Sequence, residues 1–222
     1  MIRISPEGYP FIFGALLFTG ITAIMFLWRW KTADSPLMLY LLLLFCFSLV
    51  LTLFTAFFFR DPDRKVPEGK GLFVSPADGK VILIRDIYEK DYLKSESKQV
   101  SIFMSLLDVH VNRAPCDGRV SVVRYLPGKF IAAYKDDASL KNENIAMVLE
   151  SENGKVFVRQ VAGFIARRAV CRAHVGDFVK RGERYGIIKF GSRLDVYLPG
   201  DARIMVKEGD KAKAGETVIA VK

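Results

Sequence analysis

Two long apolar runs without a charged residue open the sequence, and they constrain the fold more than any other feature. The runs are Gly8 to Trp28 and Ser35 to Phe59. Each is close to the roughly 20 residues that a helix needs to cross the hydrocarbon layer of a membrane. We therefore predict two spans, at about residues 10–28 and 37–58, which form a transmembrane helical hairpin within residues 1–59.

The basic residues around the runs indicate an orientation. The segment between the runs is long enough only for a turn, so both ends of the hairpin lie on one side of the membrane. Four basic residues follow the second run and two occupy the turn, and this bias favours a cytoplasmic main domain at the cell (inner) membrane. The four are Arg60, Arg64, Lys65 and Lys70, and the two are Arg29 and Lys31.

A secretory signal and the buried hairpin of a soluble protein are the competing interpretations. The apolar region of a signal is only about 7–15 residues long, and no second long apolar run follows it at once. Uncharged runs of this length seldom occur in water-soluble folds. The membrane hairpin is therefore the favoured interpretation.

The net charge and the cysteine count limit the kinds of partner and the compartment that we expect. The chain has 33 basic and 24 acidic residues and a net charge of +9, which suits an anionic lipid surface next to a membrane anchor. We predict no nucleic-acid partner, because the sequence has no zinc-finger, recognition-helix or single-strand-binding signature. Three cysteines form no disulfide framework, in keeping with a reducing compartment.

The amino-acid composition changes after the apolar runs. Residues 60–70 are polar and rich in turn formers, which predicts a linker to a domain at 71–222. Short β-branched runs there predict a mainly β (α+β) fold, an antiparallel domain whose Asn153-Gly154 pair marks a hairpin. Two short helices are predicted near Lys129 to Tyr134 and Phe164 to Ala169. The predicted strands are Lys80 to Ile84, Gln99 to Met104, Arg119 to Tyr125, Ala146 to Glu150, Lys155 to Gln160, Gly186 to Phe190, Leu194 to Leu198 and Thr217 to Val221.

Two turn sequences occur twice in this domain. Pro76-Ala-Asp-Gly-Lys-Val81 recurs at Pro115 to Val120, and Val175 to Glu183 recurs at Glu208 to Glu216. The repetition indicates that the same type of hairpin occurs in both halves of the domain. This pattern resembles the barrel-sandwich domains of biotinyl and lipoyl carriers. Those carriers present a lysine at a hairpin tip, which is missing at the matching turn here.

Three residues are candidates for catalysis. The chain has only two histidines, His110 and His174. An aspartate such as Asp78 can orient a histidine such as His110, which can then take the proton of a serine hydroxyl. Ser192 is the candidate serine, because the preceding Gly191 leaves the peptide carbonyl unshielded and the backbone free to adopt strained dihedrals.

Each candidate also has a structural interpretation. Asp78, like Asp117, lies in an Asp-Gly turn and can hold that turn through local hydrogen bonds. His110 can satisfy a hydrogen bond in the core. Cys116, Cys171 and the two histidines lack the paired spacings of a zinc site, so no metal is predicted.

Five segments together resemble the phosphatidylserine decarboxylase family, most closely its short form. They occur in the order typical of the family, and the resemblance covers nearly all of Arg60 to Lys222. The segments are Ser75-Pro-Ala-Asp-Gly-Lys80, Phe103-Met-Ser-Leu-Leu-Asp-Val-His-Val-Asn-Arg-Ala-Pro115, Tyr125-Leu-Pro-Gly-Lys-Phe130, Gln160-Val-Ala-Gly-Phe-Ile-Ala-Arg-Arg168 and Phe190-Gly-Ser-Arg-Leu-Asp-Val196.

The resemblance implies a self-processing enzyme. Ser192 would attack the Gly191 carbonyl, and the chain would separate into a β chain, 1–191, and an α chain, 192–222, that begins with a pyruvoyl group. This covalent group would be the only cofactor. It would form a Schiff base with phosphatidylserine in the membrane and act as electron sink for the loss of CO2, much as pyridoxal phosphate does. The product would be phosphatidylethanolamine.

The resemblance also assigns residues. Asp78 and Ser192 match the acidic residue and the cleaved serine of the family, and His110 matches a histidine of the family. Either His110 serves both as base for self-cleavage and as proton donor in decarboxylation, which we favour, or another group shares the work. Longer members have a second histidine where this chain has Arg113. Arg113, Arg167 and Arg168 are candidate substrate-binding residues, and the last two would equally suit a solvated surface pair.

Two alternatives stay open. Short-form relatives include decarboxylases of the ether-linked archaeal lipid archaetidylserine, which has the same head group. A membrane-tethered barrel-sandwich adaptor without catalysis would explain the anchor and the repeated turns, but not the five ordered segments. Homo-oligomerisation through β edges or spans is also left open.

Overall fold

The computed structural model describes residues 2–30, 36–128, 142–163, 168–189 and 192–222 of the 222-residue chain. The chain divides into two compact units, Met1–Asp63 and Arg64–Lys222. The boundary falls inside the segment 60–70 that the sequence predicts as a linker.

The first unit contains two long antiparallel helices, α1 at Tyr9–Trp30 and α2 at Pro36–Phe58. Helix α1 has 22 residues, so it extends about 33 Å, enough to cross the hydrocarbon layer. By length and apolar composition, both helices are able to span a membrane. Hydroxyl groups join them at two levels: Thr19 lies 2.9 Å from Thr52 and Thr22 lies 2.9 Å from Ser48.

A small antiparallel ladder closes this unit. Strand β1, Ile2–Ile4, pairs with β2, Arg60–Pro62, from Ile2 opposite Pro62 to Ile4 opposite Arg60. The first three residues of the predicted linker therefore form a strand. No sequence pattern predicts this strand, because three-residue strands are specified by their partner and not by a repeating pattern.

The second unit is built from fourteen strands in its described residues, and each of the eight predicted runs overlaps one of them. The domain is thus mainly β and antiparallel, as predicted. The strands are β3 Leu72–Val74, β4 Gly79–Glu89, β5 Ser95–Met104, β6 Val111–Arg113, β7 Gly118–Leu126, β8 Asn144–Ser151, β9 Gly154–Ala162, β10 Arg168–Cys171, β11 Phe178–Val179, β12 Arg184–Lys189, β13 Ser192–Pro199, β14 Arg203–Ile204, β15 Lys211–Ala212 and β16 Val218–Val221.

Eight of these strands form one sheet in the order β11-β7-β8-β9-β13-β5-β4-β15. Two smaller sheets have the orders β10-β12-β6 and β14-β16-β3. Their apolar side chains join those from one face of the large sheet in a single buried cluster, which includes Val81, Ile102, Val158, Leu194 and Ile219. Alternate residues of the central strands therefore point into this core.

The repeated turns are structurally equivalent. Asp177 accepts a hydrogen bond from the His174 amide at 2.8 Å, and Asp210 accepts one from the Lys207 amide at 3.0 Å. The glycine before each aspartate has a positive φ, +98° at Gly176 and +95° at Gly209, which favours a residue without a side chain. The sequence repeat therefore reflects a repeated local structure.

Two local predictions need correction. The hairpin between β8 and β9 exists, but Ser151 pairs with Gly154, so its two loop residues are Glu152 and Asn153, one position earlier than predicted. The predicted helix from Phe164 ends in residues that belong to β10, because Ala169 pairs with Ile188. Residues 164–167, and the other predicted helix near Lys129 to Tyr134, lie outside the described residues.

Candidate active site

Ser192 is the first residue of β13, an interior strand of the large sheet. It pairs with Met104, the last residue of β5, and with Ala162, the last residue of β9. The serine is fully buried, and its hydroxyl lies 3.3 Å from the sulfur of Met104. Gly191 is outside the described residues. The candidate nucleophile is thus held at one end of three adjacent strands, in apolar surroundings.

Two buried amide side chains lie beside the serine. Asn112 donates from Nδ2 towards Met104 Sδ at 3.9 Å and accepts a 2.8 Å hydrogen bond at Oδ1 from Gln160 Nε2. Gln160 Nε2 also lies 3.3 Å from the Val170 carbonyl oxygen. A thioether is a weak acceptor, so the Asn112 amide is a strong donor with only a weak acceptor in front of it.

His110 lies in the connection between β5 and β6 and is fully buried. Its carbonyl oxygen accepts a hydrogen bond from the Ile188 amide at 3.3 Å, which places the residue beside the chain that leads into Ser192. Nδ1 lies 3.0 Å from the Asp108 carbonyl oxygen. A carbonyl can only accept, so Nδ1 carries the proton, and in the neutral ring Nε2 is the basic nitrogen.

The turn before His110 is fixed by Asp108. Its carboxylate accepts hydrogen bonds from the Ser105 amide at 2.8 Å and from the Ser105 hydroxyl at 2.7 Å. These bonds close the tight connection out of β5 and hold the Asp108 carbonyl that orients His110. The loop itself therefore supplies one contact that orients the histidine.

Asp78 lies just before β4, whose Lys80 pairs with Phe103 of β5. It is thus at the same end of the sheet as Met104 and Ser192. Its carboxylate accepts a 2.7 Å bond from the Arg64 guanidinium and a 2.7 Å bond from the Ala214 amide. Burial raises the pKa of Asp78, and the Ala214 and Arg64 bonds oppose that rise. The predicted orientation of His110 by Asp78 stays a prediction.

The same turn in the other half of the domain holds Asp117. This carboxylate accepts a 2.7 Å bond from the Arg181 amide, as Asp78 does from Ala214. Asp78 and Asp117 therefore share one structural role, and what distinguishes Asp78 is its place beside the strand that ends at Met104 and its bond to Arg64.

The candidate substrate-binding arginines lie in different places. Arg113 is buried and donates to the Gly182 carbonyl oxygen at 2.9 Å. A Cβ atom on Gly215 would lie 2.9 Å from its Cδ, so the side chain of Arg113 runs between the two repeated turns. Arg168 is exposed at the start of β10. Arg167 lies outside the described residues.

Sequence reasoning missed Met104, Asn112 and Gln160 as neighbours of the serine. Asn112 and Gln160 fall inside the family-like segments, but their contacts depend on the register of three strands, which no local pattern specifies. His174 is largely exposed. Among the described residues, no group of three or more His, Cys, Asp or Glu side chains is arranged to hold a metal ion.

Comparison with known proteins shows the family of the chain. The model of the phosphatidylserine decarboxylase family matches residues 51–220. The phosphatidylserine decarboxylase proenzyme of Geotalea uraniireducens is 46% identical over 219 residues, which cover 98% of this chain and 96% of the relative. The proenzyme of Syntrophus aciditrophicus is 45% identical, covering 96% and 95%. That of Beijerinckia indica is 44% identical, covering 98% and 88%.

Identity of 44–46% with these proenzymes over nearly the whole chain defines it as a decarboxylase of the lyase class that is made as a precursor. It belongs to the phosphatidylserine decarboxylase family. The non-catalytic adaptor is therefore excluded as the function of this chain.

Proposed function

We propose that the chain cleaves itself between Gly191 and Ser192 and that the resulting pyruvoyl group serves the decarboxylation of phosphatidylserine to phosphatidylethanolamine. The observation that carries the proposal is the position of Ser192. It is a fully buried hydroxyl at the first residue of a central strand, directly after a glycine and next to the loop of His110.

The cleavage needs a base, a nucleophile and a bond that can break. His110 Nε2 takes the hydroxyl proton, and Oγ attacks the Gly191 carbonyl carbon as the amide nitrogen leaves, giving an ester. Loss of the Ser192 α-proton then expels the Gly191 carboxylate. Addition of water and release of ammonia leave the pyruvoyl group at the start of the α chain, so all atoms are accounted for.

The surroundings of Ser192 fit such a group. The sulfur of Met104 and the adjacent Ala162 flank the fully buried position, and the Asn112 amide donates towards the same sulfur at 3.9 Å. The pyruvoyl group, once formed, supplies the electron sink for the loss of CO2. His110 then holds the proton that replaces the departing carboxylate.

The substrate explains the anchor. A serine phospholipid lies in the membrane, so an enzyme tethered by α1 and α2 meets it without extracting it from the bilayer. We propose a cytoplasmic domain at the inner membrane, supported by Arg60, Arg64, Lys65 and Lys70 after the second helix. The names of the relatives favour phosphatidylserine over its archaeal ether-linked counterpart.

Gel electrophoresis and intact mass after purification in detergent test the proposal. The wild type should run as two chains, 1–191 and 192–222, instead of one of 25.0 kDa. Ser192→Ala should stay whole, and His110→Asn should cleave about 10²–10⁴-fold more slowly, the usual effect of losing a general base. Active wild-type protein with an unmodified Ser192 would contradict the proposal.

A further inference from the structure

The connection from β5 to β6 has two leucines at the tip of a tight turn. The Asp108 amide donates to the Ser105 carbonyl oxygen at 3.0 Å, so Leu106 and Leu107 are the two central residues of a four-residue turn. Such positions usually hold glycine, proline or a small polar residue, whereas Leu107 is 66% exposed. The bonds that close the turn come from Ser105 and Asp108, so they give no reason for an apolar residue at its tip.

This turn lies at the end of the large sheet where β13 begins with Ser192 and β5 ends with Met104, which we call the serine end. Leu106 comes two residues after Met104, and the same connection leads on to His110. A surface that contacts the tip of the turn is therefore only a few residues along the chain from the candidate site.

Two exposed lysines lie beside the turn at the serine end. Lys80 of β4 is directly opposite Lys211 of β15. Lys80 also pairs with Phe103, the residue before Met104. Like charges directly opposite each other on adjacent strands are destabilising, and an anionic partner in front of them would relieve the repulsion. This lysine pair therefore favours a negatively charged partner at the serine end.

The second unit is also tethered at the serine end. Its first residue is Arg64, whose guanidinium donates to the Asp78 carboxylate at 2.7 Å. Asp78 comes two residues before Lys80, so the chain that follows the two apolar helices enters the domain at this end. A short tether gives the residues near it a high effective concentration at the surface that holds the anchor.

A second turn of the same kind allows a comparison. Val175 is 63% exposed and is a central residue of the turn that the Asp177 amide closes by donating to the His174 carbonyl oxygen. The next residue donates to the Val120 carbonyl oxygen near the start of β7, at the opposite end of the sheet. Single exposed apolar side chains are common, so what distinguishes Leu107 is its place beside the lysine pair and the tether.

We propose that Leu107 and the lysine pair contact an anionic lipid bilayer, with the leucine at the boundary of the acyl chains and the lysines at the level of the phosphates. An apolar residue next to basic ones is typical of contacts with a membrane surface. The inference rests on the proposed function and deepens it, because it names the surface through which the domain meets its lipid. Leu107, Lys80 and Lys211 hold the site at the bilayer and take no part in the chemistry.

Tryptophan fluorescence measures the contact without turnover. The full-length Ser192→Ala precursor, with Trp28→Phe and Trp30→Phe, receives a single new indole by Leu107→Trp or by the matched control Val175→Trp. The protein is placed in vesicles of phosphatidylcholine and anionic phosphatidylglycerol with brominated acyl chains, which quench an indole at their depth. Emission from Leu107→Trp should fall by about twofold or more, since an interfacial side chain reaches the acyl boundary, and emission from Val175→Trp should stay nearly unchanged.

The charge of the bilayer tests the lysine pair. Quenching of Leu107→Trp should be weaker in vesicles of phosphatidylcholine alone, because that lipid has no net charge to attract the lysines. Lys80→Gln combined with Lys211→Gln should lower the quenching in anionic vesicles to the same level. If neither change affects the quenching, the lysine pair does not bind anionic lipid.

Activity gives a second readout in the self-cleaved enzyme. Leu107→Asp should lower the ratio of the rate on phosphatidylserine in vesicles to the rate on dispersed short-chain phosphatidylserine by about 10-fold, the effect of losing one buried apolar side chain. The ratio is the useful quantity, because a distorted site would lower both rates together. Val175→Asp should leave the ratio unchanged.

The outcomes separate this inference from the proposed function. Quenching that is absent at Leu107, or equal at Leu107 and Val175, refutes the contact, and the proposed function stands if the wild type cleaves itself. If the wild type stays as one chain, the proposed function fails, while the quenching still decides the contact. If there is no quenching but Leu107→Asp changes the mass of the particle in detergent, the surface binds a second copy of the chain and the lipid contact is refuted.

Discussion

Ser192 begins a strand whose next charged residues are buried together on the other face of the sheet. Arg193 and Asp195 are 1% and 0% exposed, and Arg193 Nε lies 2.6 Å from Asp195 Oδ1. Arg193 also donates from Nη2 to the Ser101 hydroxyl at 3.0 Å. After cleavage, the new chain would begin one residue before Arg193, so this pair would hold the reactive end in the sheet.

Breaking the buried pair should be costly. Asp195→Asn should lower the free energy of unfolding by about 3–5 kcal/mol, because it leaves the Arg193 charge poorly compensated inside the protein. The measurement is thermal or denaturant unfolding of the Ser192→Ala precursor in detergent, which keeps the chain whole.

An exposed pair provides the control. Lys98 and Asp86 are 2.7 Å apart near the surface, so Asp86→Asn in the same background should change stability by less than about 1 kcal/mol. Equal effects of the two substitutions would show that Arg193 and Asp195 do not act as a buried ion pair.

At the scale of elements, the repeated turns allow the structural role of an aspartate to be compared with a catalytic role. Asp78 and Asp117 make the same 2.7 Å bond to a backbone amide, at Ala214 and Arg181. The two turns should therefore contribute similarly to folding. Only Asp78 precedes the strand that pairs with β5, which ends beside Ser192.

We expect Asp78→Asn to slow self-cleavage by at least about 10²-fold, the lower range for a group that takes part in acid–base catalysis, and Asp117→Asn to leave it nearly unchanged. Rates are measured by the loss of the full-length band after synthesis in vitro. If both variants cleave at the wild-type rate, Asp78 is a turn residue like Asp117.

At the scale of the whole molecule, the candidate site and the apolar helices lie in different units. Residues 64–222 form a compact unit that contains every described candidate residue of the site, and residues 1–63 contain both apolar helices. We therefore expect the chemistry to depend on the second unit and access to lipid in a bilayer to depend on the first.

Residues 64–222 expressed alone should cleave themselves and act on dispersed short-chain phosphatidylserine. On phosphatidylserine in vesicles their activity should fall by about 10²-fold relative to the full chain, because the anchor no longer keeps the domain at the surface. The net charge of +9 for the full chain suggests that added salt will weaken the residual activity further. Full activity on vesicles without the helices would contradict an anchoring role.

Much of the fold could be predicted because its signals are local. The uncharged runs specify α1 and α2 since each is long enough to satisfy its own backbone hydrogen bonds in a membrane, and alternating β-branched residues specify the long strands. Apart from β16, the strands of two to four residues, such as β2 and β10, were not predicted, because so few residues carry no period and pair only when a distant partner is in place.

The sequence by itself determined which residues are candidates for the reaction: Gly191 before Ser192, one histidine in the family-like loop and an aspartate in a turn. The tertiary structure alone decided which residues surround these candidates. Sheet register brings Met104 and Ala162 to Ser192, and the packing of the turns gives Asp78 the same kind of backbone bond as Asp117. Register depends on contacts between residues far apart in the chain, so no stretch of sequence contains it.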